Sequence, residues 1–166
     1  MSPGLATTYR YRRATPGDVS AIFAVLEEIA PEIPVYLDSA EQKKAALERV
    51  EWYIGSGETL VALDRADQVI GFLLAAPDDH ERFQYANGAL HLPFGGVKKS
   101  LRGQYIFTSL LAKMKSKGVP LTAAVSHLNK SNMFRRLEKL GFRKPSYEYR
   151  GSGDFARDEE NLRWQP

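Results

Sequence analysis

Apolar positions recur along the chain in two rhythms, and their succession predicts the elements. Tyr9 to Arg13 is a short aromatic and basic run that reads as a strand. Thr15-Pro16-Gly17-Asp18 then supplies an N-cap, a proline at the first helical position and an acid three residues beyond the cap. Val19, Ile22, Phe23, Leu26, Ile29 and Ala30 follow at the spacing of one buried helical stripe, which Pro31 ends. Ser39 with Gln42 forms a capping-box signature ahead of a second stripe, Ala46, Leu47, Val50, Tyr53 and Ile54, closed by Gly55 and Gly57. Thr59–Leu63 and Val69–Ala76 are β-rich runs joined by polar residues, so they are expected to pair antiparallel. In the third run, Ala89–Val97, Pro93 lacks a ladder donor and Gly95-Gly96 invites a bulge, which predicts an interrupted strand. Ile106, Phe107, Leu110, Leu111 and Met114 mark a third helix, with lysines in its last turns, and Gly118 and Pro120 stop it. A short strand over Leu121–Val125 and a helical stripe at Met133, Phe134, Leu137 and Leu140 complete the pattern, with one or two strands expected between Phe142 and Trp164. The order β-α-α-β-β-β-α-β-α-β predicts an α/β (α+β) domain with a sheet of mixed direction.

Length and composition narrow the class. The 166 residues, 43% hydrophobic and 26% charged, suit one domain, with residues 1–8 expected to be a tail. Cysteine is absent, which excludes disulfides, thiolate metal sites and a cysteine-bound acyl intermediate. The longest apolar run, Val69–Ala76, is far shorter than a membrane helix requires, so the expectation is a cytoplasmic chain with no membrane partner.

The net charge is only +3, but it is unevenly placed. Ala14–Ala89 holds 14 acids against five bases, whereas Lys98–Lys144 holds 12 bases and one acid, Glu138. A basic C-terminal half points to a polyanionic ligand, and an acidic N-terminal half is compatible with a cationic one.

Chemistry concentrates in Val97-Lys98-Lys99-Ser100-Leu101-Arg102-Gly103-Gln104-Tyr105-Ile106, where a buried strand passes through a basic turn into an amphipathic helix. Amides at a helix N-terminus lack intrahelical acceptors and the helix dipole adds positive potential, so a phosphate docks there. Gly103 lets the backbone approach, and Lys98, Lys99 and Arg102 add charge. The three histidines, His80, His91 and His127, lack zinc-motif spacing, so metal catalysis is not expected. His91, on the interrupted strand, is the first candidate for a general base, and Tyr105, Tyr147 and Tyr149 are candidate acids.

From Tyr9 to Tyr149 the chain resembles the GNAT superfamily of acyl-CoA-dependent N-acyltransferases. The resemblance rests on Arg13-Ala14-Thr15-Pro16-Gly17-Asp18 as the first strand-to-helix junction and on Val97, Arg102-Gly103 and Ile106 as the CoA pyrophosphate loop. Asn129 and Ser131, leading to Leu137-Glu138-Lys139-Leu140-Gly141-Phe142, are similar to the last helix and the strand after it. Two positions depart from the pattern. In the loop, Ser100 stands where the family has Gln or Arg, and Tyr105 where it has Gly or Ala. Leu137 stands where many members carry the tyrosine that protonates the leaving thiolate.

The resemblance implies a GNAT-like fold with a mostly antiparallel central sheet flanked by about four helices. It implies acetyl-CoA as the acyl donor, held by Val97, Lys98, Arg102, Gly103, Gln104, Tyr105, Ile106, Asn129 and Ser131. Backbone N–H groups around Gly95–Val97 would meet the developing oxyanion. The acceptor side falls between the first two helices, where Glu27, Glu28, Glu32 and Tyr36 would receive a primary amine of a small molecule or peptide. The competing reading is an inactive module of the same fold that binds nucleic acid, protein or acyl-CoA as a sensor. No stacking-aromatic RNA motif supports the nucleic-acid form of it, and a homodimer is compatible with either reading.

Overall fold

The computed structural model describes residues 8–33, 35–77, 88–126, 130, 132–143 and 159–166. The element order follows the apolar rhythms: β1 (Arg10–Arg13), α1 (Val19–Ile29), α2 (Ala40–Gly55), β2 (Leu60–Leu63), β3 (Val69–Leu73), β4 (Ala76–Pro77), β5 (Leu90–Leu92), β6 (Gly95–Val97), α3 (Ile106–Lys115), β7 (Leu121–Ser126), α4 (Met133–Lys139) and β8 (Glu159–Trp164). A 3-10 turn, Ala30–Glu32, extends α1 at Pro31, and Ser39 Oγ accepts the Gln42 amide at 3.1 Å to open α2.

The strands form two four-stranded sheets, β1-β2-β3-β6 and β4-β5-β7-β8. All ladders are antiparallel except β5 with β7. Two expected strands are each broken in the middle, and this divides the sheet. Leu73 pairs with Gly95 and Ala76 with His91, so two residues on one side, Leu74 and Ala75, face three on the other, Leu92, Pro93 and Phe94. That extra residue is a β-bulge, and the side chains report it. Leu92 and Val97 both face the α3 layer, an odd number of steps apart, while Phe94 packs on the α1 and α2 layer. Pro93 costs no ladder bond there.

Two apolar clusters sandwich the sheet. Leu60, Ala62, Ile70 and Leu73 pack with Phe107, Leu110, Leu111, Met114, Leu137 and Phe142 on one face. Val61, Leu63 and Phe72 pack with Ile22, Leu26, Ile29, Val50 and Ile54 on the other. Side chains such as Leu110 and Phe72 are fully buried, each stabilising the fold by roughly 1.5–3 kcal/mol. No described helix is long and apolar enough to cross a membrane.

Candidate functional site

The parallel pairing of β5 with β7 runs only to Leu92 opposite Ala123. Beyond the bulge, β6 ends its sheet with β3 as its one partner. The register fixes which of its backbone groups are used. Lys98 N–H donates to Ile70 O and Leu74 N–H to Phe94 O, both at 2.9 Å, so the intervening bonded pair is Phe72 with Gly96. The N–H groups of Gly95 and Val97 therefore point away from β3, into the space that the splayed sheets leave. The bulge expected at Gly95-Gly96 falls instead within Leu92–Phe94, and glycine at these two β6 positions has a packing reason. A Cβ at Gly96 would fall 2.0 Å from Ile29 Cδ1, and one at Gly95 2.8 Å from Leu73 Cδ1.

From β6 the chain enters a 3-10 turn, Lys99–Leu101, in which Leu101 N–H donates to Lys98 O at 3.0 Å and Arg102 N–H to Lys99 O at 3.3 Å. Gly103 then adopts φ +84° and Tyr105, the N-cap of α3, φ 61°. The first α3 bond joins Ser109 N–H to Tyr105 O at 2.9 Å. Among the described residues, no acceptor meets the amides of Gly103 to Thr108. The loop is a nest of free N–H donors at the positive end of a ten-residue helix. Tyr9 donates its hydroxyl proton to Gln104 Oε1, tying the loop to the start of β1.

Both sets of free amides open onto one cleft of about 620 Å³. Gly95, Gly96 and Val97 form its floor. Arg102, Gly103, Tyr105 and Ile106 form one wall, Ile29, Glu32 and Ile33 another, and Lys130, Met133 and Arg136 close it from the side of α4. A second hollow of about 580 Å³ is lined by Glu27, Val35, Tyr36, Asp38 and Lys43, and Lys130 lines both.

The charges in the cleft are partly matched. Arg102 holds Glu32 with two bonds, Nη1 to Oε1 at 3.0 Å and Nη2 to Oε2 at 2.5 Å, and Lys99 Nζ lies 3.8 Å from the same carboxylate. Hydrogen bonding to Arg102, before any other cause, holds the Glu32 carboxyl below its ordinary value and Arg102 above its own. Glu28 Oε1 accepts the Lys99 amide at 3.0 Å. Arg136 differs. Its guanidinium lies 4.9 Å from the Phe107 ring centre, and burial, followed by the Arg102 charge, lowers its pKa. No carboxylate partners Arg136 among the described residues. Two arginines thus line one cleft, and the acid there is held by Arg102.

Of the residues that the sequence offers for the donor, Val97, Arg102, Gly103, Tyr105 and Ile106 line the cleft. Lys98 and Gln104 do not; the first joins the ladder through its amide and the second is held by Tyr9. Asn129 and Ser131 lie outside the described residues, as do His80, His127, Tyr147 and Tyr149. Of the four acceptor residues, Glu27 and Tyr36 line the second hollow, whereas Glu28 and Glu32 reach the donor loop. Acids at the end of α1 thus neutralise part of the basic half from within.

The two catalytic candidates are separated, Tyr105 lining the cleft and His91 lying outside its lining. His91 does not line the cleft, and its Nδ1 lies 3.0 Å from Thr122 Oγ1 on β7. Tyr105 lines the cleft and is 77% exposed. Leu137 is buried in the α3-side core. Sequence reading missed Arg136 and Lys130 as site residues. The available signal was an arginine flanking the apolar stripe of α4, where a solvated charge looks the same. Among the described residues no group of three or more metal-ligating side chains converges.

No protein-family model matches the chain, and a search of the curated proteins finds no match. Solved structures do match. The chain is similar to the PaiA N-acetyltransferase of Thermoplasma acidophilum in complex with coenzyme A, at 18% identity and a TM-score of 0.68, with 96% of this chain and 99% of that one covered. It is similar to an acetyltransferase of the GNAT family from Staphylococcus aureus, at 16% identity and a TM-score of 0.68, covering 95% and 98%. It is also similar to a histone acetyltransferase HPA2 and related acetyltransferase from Corynebacterium glutamicum, at 17% identity and a TM-score of 0.66, covering 96% and 97%. The splayed sheet, the bulged strand and the loop before α3 are thus parts of one architecture, and the chain has the fold of the GNAT acetyltransferases.

Proposed function

We propose that the protein is an acetyl-CoA-dependent N-acetyltransferase that passes the acetyl group directly to a primary amine of a small molecule or peptide. The observation that carries this reading is the convergence of two sets of unpartnered amides on one cleft. The nest at Gly103–Thr108 suits a diphosphate, and the donors at Gly95 and Val97 suit a carbonyl oxygen. Arg102, Lys130 and Arg136 supply the positive charge that coenzyme A, with its diphosphate and 3′-phosphate, requires. The coenzyme A bound to the Thermoplasma relative of the same fold agrees with this.

In this reading the amine nitrogen attacks the thioester carbonyl carbon, the N–C bond forms and the C–S bond breaks. The electron pair on the carbonyl oxygen is held in passing by the N–H groups of β6, and the sulfur leaves as a thiolate. A thiol titrates near ~8.5, so its anion departs at neutral pH without an acid, which is consistent with Leu137 in the core. The amine, with a reference pKa near ~10, must lose one proton before attack, and its nitrogen sheds a second as the tetrahedral adduct collapses to the amide and thiolate; water in the open cleft takes both. The acceptor enters from the second hollow, where Tyr36 offers a ring face and Asp38 a carboxylate, while Glu27 is shared with Lys43.

The test is to incubate the protein with acetyl-CoA and a panel comprising a polyamine, an aminoglycoside and lysine peptides, following free CoA thiol. Thiol release that requires one of these amines supports the reading. Saturable binding of acetyl-CoA with no release for any amine favours the sensor, and absence of binding at millimolar ligand removes both.

A further inference from the structure

We infer that Glu32 is an internal competitor for the diphosphate site, a carboxylate that occupies Arg102 until the phosphates of coenzyme A displace it; the inference rests on the reading above. The two residues lie 70 positions apart in sequence and on facing walls of the cleft, yet they meet in a two-bond pair, with Lys99 as a third member. Planar guanidinium recognition treats a carboxylate and a phosphate alike, so Glu32 presents to Arg102 the same pair of acceptor oxygens that a diphosphate would. The free amides of Gly103–Thr108 stand beside this pair with nothing to bind.

The backbone at Glu32 is fixed. Its carbonyl accepts Lys130 N–H at 2.7 Å, and Ile33 N–H returns to Ala30 O at 3.2 Å. Exchange of partners is therefore a rotation of two side chains. The carboxylate alone offers one charge and two oxygens. A diphosphate offers more charge and engages the amide nest as well, so it prevails, and its own charge then repels Glu32 from the wall. The acid released keeps Lys99 within reach as its partner. Glu32 is a positioning residue in this scheme and touches no reacting atom.

The experiment is a calorimetric double-mutant cycle with coenzyme A on the wild type, Glu32→Gln, Arg102→Ala and the double variant. Glu32→Gln is expected to tighten coenzyme A about five- to tenfold, the size of a partly exposed two-bond ion pair together with relief of charge repulsion. In the Arg102→Ala background the same substitution is expected to change affinity less than about twofold, and pantetheine, which lacks the diphosphate, should bind both Glu32 forms alike. A purely structural Glu32 would move all ligands together. Side-chain carboxyl NMR on the unmodified chain gives a second reading, in which the Glu32 titration midpoint rises on adding coenzyme A. If the wild type binds coenzyme A while Glu32→Gln leaves affinity unchanged or weaker, the competitor is overturned and the transferase reading stands. If neither form binds, both fall. Binding by Glu32→Gln where the wild type is silent supports both.

Discussion

Two strand-to-helix junctions in this chain share a 3-10 turn and differ in what becomes of their backbone donors. Before α1, Thr15-Pro16-Gly17-Asp18 turns through a 3-10 segment, as Lys99–Leu101 does before α3. At the first junction the Asp18 carboxylate accepts the Thr15 amide at 2.7 Å and the Thr15 hydroxyl at 3.2 Å, and two bonds from Arg12 at 2.7 and 3.0 Å complete its shell. Pro16 removes one amide outright. The junction carries its own anion, nine-tenths buried, and needs no other. At the second there is no acid within the turn, two residues take positive φ, and six successive amides are left open. A helix start closed from within is architecture; one whose donors are left open is a receptor.

Four substitutions test that contrast, beginning with the strongest. Gly103→Glu places a side chain on a backbone at φ +84° and an acid in the nest, and should weaken coenzyme A by two orders of magnitude or more in calorimetry. Arg136→Ala removes a cation that has no acid of its own and should cost roughly tenfold in the same titration, with a flatter dependence of affinity on salt. The first junction should answer only in stability. Asp18→Asn is expected to lower the urea-unfolding free energy by about 1–2 kcal/mol, the lower part of the range because Arg12 is partly exposed, and to leave coenzyme A binding unchanged.

That third effect has a pH signature. The hydrogen bond from Arg12, chiefly, holds the Asp18 carboxyl below its unfolded value. Its contribution is therefore complete above the unfolded pKa of about 3.9 and is lost as pH falls through the lower folded value. The stability gap between wild type and Asp18→Asn should be constant from neutral pH down to about 5 and close in stronger acid. The smallest effect is at the N-cap of α3. Tyr105→Gly relieves a left-handed φ of 61° at the cost of a more flexible unfolded chain, and the two nearly cancel, so the thermal midpoint should move by only a degree or two.

Local signals carried most of the fold. The stripes of α1, α2, α3 and α4, the Ser39–Gln42 cap and the turn-forming glycines fall where spacing and caps place them, because each depends on neighbours within a few residues. The division of the sheet depended on a count across strands, Leu74 and Ala75 against Leu92, Pro93 and Phe94, which a single strand does not display. Pro93 and Gly95-Gly96 marked the place without the consequence. The loop before α3 was legible because backbone geometry does its work. The pairing of Glu32 with Arg102 was not, since a contact over 70 positions leaves no period in the sequence. Charge counts by halves were informative about a ligand only in part, because some of the two halves' charge is spent on each other.

The missing side chain at Gly96 sets how this molecule can move. Ile29 occupies the volume where a methyl would stand, so the last turn of α1 rests directly on the strand beneath it, without a cushion. Helix and strand are thereby in direct contact where the wall of the groove meets its base. Admission of a ligand falls to swinging side chains, on the timescale of rotamer exchange rather than of rearranging domains.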